Sequence, residues 1–109
     1  MEDLQTIKNN VDDFNQRVDH ISSKVKLTFN THVKVERIDL SKLSEPKYYN
    51  SAYRLYVKNV HQMMLKSCTK LVTQLVQFNI IPPRFSPLVF DWEQINKTLS
   101  DIENRLSKY

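Results

Sequence analysis

At 109 residues, 40% of them hydrophobic and 26% charged, the chain has the make-up of one folded domain and is too apolar for disorder. It contains no glycine. Tight hairpins, strand bulges, phosphate-cradling loops and dinucleotide fingerprints all draw on that residue, which argues against a β-rich fold and against P-loop or Rossmann nucleotide binding. The formal charge of +4 is uneven: residues 40–85 carry seven Lys/Arg against one Asp/Glu, and residues 1–20 carry two against five. A basic middle between more acidic flanks favours terminal helices folding back on a central one, although surface pairs of this kind contribute little.

The first predicted element is a helix over residues 2–29. Leu4, Ile7, Val11, Phe14, Val18, Ile21 and Val25 recur at alternating spacings of 3 and 4, an unbroken heptad seam. Glu2 and Asp3 at the start and Lys24 and Lys26 near the end complement the helix dipole. The heptad then fails, because His32 and Asp39 would fall at core positions. A second register through Phe29, Val33, Leu40 and Leu43 is offset by four residues, a stutter. Asn30, Thr31 and His32 are poor helix formers, so residues 30–44 read as an irregular segment or hinge. Weak alternation from Thr31 to Ile38 leaves a short strand as the other reading.

The second helix is predicted over residues 45–79, capped by Ser44 with Pro46 in its first turn. Tyr53, Val57, Val60, Met64, Cys68, Leu71, Leu75 and Phe78 centre its apolar face. Leu65, Val72, Val76, Tyr56 and Met63 widen it beyond what one neighbour can cover, so this helix is central and flanked on both sides. Asn79 is expected in the left-handed region, with Ile80 turning back onto Leu75, before Pro82-Pro83 forbid continuation.

Residues 80–90 form a proline-stiffened connector that carries Phe85 and Phe90. The third helix, over residues 92–109, has Asp91 as its cap, Gln94 at the third position and Phe90 placed to staple Ile95. Trp92, Ile95, Leu99, Ile102 and Leu106 repeat the heptad rhythm, and Tyr109 continues it. The expected fold is all-α: a three-helix, coiled-coil-like bundle with two long helices and a shorter C-terminal one.

Candidate chemistry is sparse. His20, His32 and His61 have no partner at metal-ligand spacing, and His61 with Cys68, seven residues on, makes only two ligands. Cys68 lies in the broad apolar arc and reads as a packing residue; a nucleophile needs a base and a stabilised thiolate. Asp12, Asp13 and Asp19 occupy the solvent side of the first helix, away from any pocket that would tune a catalytic carboxylate. No enzyme, cofactor or metal site is expected. Arg54, Lys58, Lys66 and Lys70 spread over half the wheel of the second helix, which favours a solvated face over an anionic partner.

One cysteine, no apolar leader and no run of about 18 apolar residues point to a chain of the cytoplasm or nucleus without a membrane span. The terminal seams are narrower than core-facing helices usually carry. They favour a bundle completed by another helical chain, with Leu4, Ile7, Val11, Phe14, Val18, Ile21 and Val25 as the main stripe. Trp92, Ile95, Leu99, Ile102 and Leu106 form the second stripe, and Phe85 and Phe90 the flanking patch. The g and e positions of the first helix lack self-complementary charge, so a hetero-oligomer is favoured over a homodimer. The expected function is a non-catalytic helical adaptor. The rival readings are a basic module for nucleic acid or an anionic membrane, and an autonomous three-helix regulatory domain.

Overall fold

The computed structural model describes residues 3–83 and 92–109. Three helices pack together, and among the described residues there is no strand: α1 (Leu4–Phe29), α2 (Ser51–Gln77) and α3 (Trp92–Leu106), with a single 3-10 turn at Leu40–Lys42. Asp3 caps α1, its carboxylate accepting from the Thr6 amide at 2.7 Å. That amide bond holds the Asp3 carboxyl below its ordinary pKa. At the other end Asn30 stands in the left-handed region (φ 51°) and donates its N–H to the Lys26 carbonyl. Without glycine, asparagine is the residue best able to take that conformation.

Beyond Asn30 the chain runs as an extended strap rather than a strand or a continued helix. Its contacts descend α1 in reverse order. Ser22 Oγ donates to the Val33 carbonyl at 3.4 Å, Arg37 pairs with Asp19 at 3.2 Å, and Asn15 meets Ile38. Lys8 reaches Glu45 at 3.4 Å, close to the start of α1. On its other side the strap meets α2, again in reverse order. Gln74 brackets Lys34, and Ser67 Oγ donates to the Glu36 carbonyl at 2.5 Å. The strap is therefore antiparallel to both helices, and α1 and α2 are parallel.

An extended segment with no strand beside it must find other partners for its peptide groups. Two side-chain amides supply them. Asn15 Oδ1 accepts from the Ile38 amide at 2.8 Å while its Nδ2 donates to the Ile38 carbonyl at 3.0 Å. Gln74 does the same for Lys34, accepting at 2.8 Å and donating at 2.7 Å. Each amide imitates one residue of a neighbouring strand. Asn15 is among the few buried polar residues, 8% exposed, and Val33 and Ile38 are buried beside it.

The second helix begins at Ser51, not near residue 45. Asn50 caps it in place of Ser44, its side chain accepting from the Ala52 and Tyr53 amides. The reasons are local and tertiary. Pro46 disfavours helical backbone at Glu45, and Tyr48 and Tyr49 are exposed, so those turns bury little apolar surface in the core. The far end closes as a Schellman motif. Asn79 takes φ 59°, Ile80 N–H donates to the Leu75 carbonyl at 2.9 Å, and Asn79 N–H donates to Val76 at 3.0 Å. Phe78 sits on that cap and is 47% exposed, outside the core expected for it.

The direction of α3 follows from its contacts with α1. Arg17 touches Asn96, Ser100 and Glu103, and Lys24 Nζ donates to the Tyr109 carbonyl at 3.3 Å. Phe29 and Tyr109 meet edge to face at 5.0 Å. All three helices thus run the same way. Helix α3 ends at Leu106, so Tyr109 leaves the seam and is exposed. The expected cap Asp91 and staple Phe90 lie outside the described residues.

Replacing Asn15 tests the strap directly. Asn15→Leu leaves the Ile38 amide and carbonyl without partners, and should lower the unfolding free energy by about 2–6 kcal/mol, at 1–3 for each orphaned group. Asn15→Asp keeps the acceptor but sets a carboxylate against the Ile38 carbonyl, and should be at least as damaging at neutral pH. Denaturant midpoints at unchanged m-value are the readout.

Candidate functional site

The apolar seams meet one another inside the molecule. Ile7, Val11, Phe14, Val18, Ile21 and Val25 of α1 are at most 2% exposed, as are Ile95, Leu99, Ile102 and Leu106 of α3. They join Tyr53, Tyr56, Val60, Met64, Cys68, Leu71, Val72 and Leu75 of α2 in one core. Leu4 and Trp92 are half-buried against its rim. Residues read as a stripe for another chain are thus closed on each other within this one. Val33, Ile38, Ile80 and Ile81 complete the enclosure, which is why narrow seams suffice: the strap covers the flank that a further helix would otherwise cover. Phe85 and Phe90 lie outside the described residues.

The most connected polar side chain is Arg17, only 15% exposed. Its Nε donates to Glu103 Oε1 at 3.0 Å and its Nη2 to the same oxygen at 2.5 Å. It also donates to Ser100 Oγ at 2.9 Å, to Asn96 Oδ1 and to the Asn96 carbonyl, and pairs with Asp13 at 3.6 Å. A planar guanidinium suits this role, since one fork can serve several acceptors along α3. The cluster fixes the register of α1 against α3.

The possible reactive groups are placed without reactive surroundings. Cys68 is fully buried, and burial pushes its thiol up to about 12 against an opposing pull from the Arg17 charge. Burial likewise raises the Tyr56 phenol, with the Glu45 charge adding to it. Asp12 and Asp13 are exposed, and Asp19 is taken up by Arg37. Among the described residues no group of three or more His, Cys, Asp or Glu could hold a metal ion. Nor is any helix among them long and apolar enough to cross a membrane.

Two surface depressions are found among the described residues. One, between α1 and α3, is lined by His20, Ile21, Lys24, Glu103, Leu106 and Ser107. The other is shallow and runs along α2 beside the strap, lined by Glu36, Gln62, Leu65, Lys66, Thr69 and Lys70. Lys70 Nζ donates to Glu36 at 2.7 Å, and that bond holds the Glu36 carboxyl below its usual range. At the start of α2 stand three large exposed side chains within eight residues: Tyr48, Tyr49 and Leu55, at 73%, 63% and 58%. Tyr49 leans on Tyr53 with ring centroids 4.6 Å apart.

Four residues that organise the molecule escape the sequence pattern: Asn15, Arg17, Ser67 and Gln74. Ser67 was the most visible of them, a small polar residue beside Cys68 within an apolar arc. Comparison with protein-family models, with curated proteins and with solved structures found no match.

Two measurements test the roles of Arg17 and Cys68. Arg17→Ala should cost about 1.5–3 kcal/mol, the range for a hydrogen bond to a charged partner, and Arg17→Lys should recover less than half of it. A thiol reagent should leave Cys68 unmodified in the folded protein and titrate it on unfolding. Because the folded pKa lies above the ordinary value of 9.0, its contribution to stability is complete below pH 9 and is lost as pH rises towards 12.

Proposed function

We propose that this chain is a non-catalytic helical subunit that joins other protein chains in an intracellular, cytoplasmic or nuclear, assembly. The observation that carries the reading is where the chemistry and the apolar surface lie. The buried polar side chains Asn15 and Ser67 bond the strap, and the Cys68 thiol packs in the core. Of the six large apolar groups left in solvent among the described residues, Tyr48, Tyr49 and Leu55 gather at the start of α2, while Leu27, Phe78 and Tyr109 stand at the C-terminal ends of the three helices. A catalytic site would need the reverse, with perturbed polar groups opening onto a pocket. Exposed tyrosines next to a leucine are the composition of a contact surface, since tyrosine supplies large area at low entropy cost.

This reading moves the joining surface away from the seams. The core of α1 and α3 serves as a rigid frame, and association uses the outside of α2. A partner that presents an apolar patch to Tyr48, Tyr49 and Leu55 fits it.

The test is the size of the native species. In extract from its own cells, the chain should elute far above the 13.0 kDa of a single copy. Tyr48→Ser, Tyr49→Ser and Leu55→Gln together should return it to monomer size with its thermal midpoint unchanged. A wild-type chain that elutes as a monomer, or an assembly indifferent to the triple substitution, would overturn the reading.

A further inference from the structure

We infer that α2 carries a second, independent contact surface: an oblique basic ridge that binds the phosphate backbone of a nucleic acid. Arg54, Lys58, Gln62, Lys66 and Lys70 are consecutive members of one i, i+4 row. On a helical wheel they fan out over half the circumference. On the helix surface they are a single line, inclined about 26° to the axis, with about 5–6 Å between neighbouring Cβ atoms. All five are exposed. From Arg54 to Lys70 the line rises about 24 Å, at 1.5 Å per residue.

The charge on this line is compensated only at its far end. Helix α2 contains no Asp or Glu in its 27 residues. Among the described residues the one carboxylate that reaches the row is Glu36 of the strap, which pairs with Lys70 at the far end and also feels the charge of Lys66. Arg54, Lys58 and Lys66 make no ion pair with any described residue. Like charges at i, i+4 oppose helix formation, and the row has two such pairs, Arg54 with Lys58 and Lys66 with Lys70. Stability alone does not account for that arrangement, whereas a polyanion laid along the row does.

The side chains beside the cations select among anionic occupants. Gln62 and Thr69 lie between and next to them, both exposed and able to donate to a phosphate oxygen, whereas the Thr73 hydroxyl is donated to the Thr69 carbonyl. A protein partner would need apolar or aromatic anchors at the centre of the contact, and between Lys58 and Lys70 the apolar side chains that reach the surface, Met63 and Leu65, are both half-buried against the core. A membrane-lying helix needs a broad apolar face turned outward, but that face of α2 is spent in the core. Cations interspersed with amide and hydroxyl donors suit the sugar-phosphate backbone, contacted without reading sequence. The inference does not rest on the adaptor reading, because the ridge is built from residues other than Tyr48, Tyr49 and Leu55.

Fluorescence anisotropy of the full chain with labelled duplex DNA and single-stranded RNA, as a function of salt, tests it. Three to four phosphate contacts on duplex DNA predict that log K falls against log salt with a slope of about −3. Arg54→Gln, Lys58→Gln and Lys66→Gln together should weaken binding at least tenfold and flatten the slope. Arg54→Lys, Lys58→Arg and Lys66→Arg together should preserve both. A control that removes the same charge elsewhere, Lys26→Gln, Lys97→Gln and Lys108→Gln, should leave affinity within about twofold, with circular dichroism checking that each variant is folded. Absence of binding at 50 mM salt, or equal loss in the ridge and control variants, overturns the proposal. So does tighter binding of phosphatidylserine vesicles or polyglutamate through the same three residues.

Discussion

An extended backbone laid between two helices has no ladder to complete, and its peptide groups must still be satisfied out of water. In this molecule Asn15 of α1 and Gln74 of α2 each turn an amide side chain edge-on to the strap, bonding one N–H and one carbonyl apiece. Ser67 takes the Glu36 carbonyl, and the Lys70–Glu36 pair fastens the outer edge. With these in place Val33 and Ile38 can be driven into the core without orphaning the backbone that carries them. The architecture depends on this exchange of side-chain amides for a missing strand.

Its first consequence is topological. A helix of 26 residues is about 39 Å long, and the molecule measures 46 Å along its greatest extent. The chain returns almost that whole length before α2 begins, so α2 starts beside the beginning of α1 and rises with it. Parallel helices follow, where short loops would have produced antiparallel neighbours. The second consequence concerns the seams. The strap and the other two helices bury the seam of α1 from Ile7 to Val25.

Much of this was legible in the residues. Heptad spacing located α1. The wide arc of α2 marked a helix with more than one neighbour, but the closest helix packing is between α1 and α3, so α2 is not the central helix expected. The absence of glycine turned attention to Asn79, which closes α2 with φ 59°. The width of the stripe has two explanations. A narrow seam has the pattern of half an interface, because periodicity reveals only helical neighbours and an extended segment has no period to announce it. The clue was length: a connector of some twenty residues is far longer than the 2–8 typical between bundle helices, and it implied a return along the molecule. Asn15 and Gln74 had no signature, since the value of an amide depends on which peptide group lies opposite. Arg17 read as a surface position because periodicity does not report that Glu103 and Asn96 face it across the helix pair.

The parallel course of α1 and α2 is the central claim, and a pair of spin-label distances addresses it most directly. Cys68 is buried and stays unlabelled, so labels can be attached at Ser23→Cys with Thr73→Cys, and at Ser23→Cys with Ala52→Cys. Twenty-one residues separate Thr73 from Ala52 along α2, about 32 Å of rise, so the second distance should exceed the first by about 15–20 Å. If the Ser23–Ala52 pair is instead the shorter of the two, α2 runs against α1 and the strap account fails.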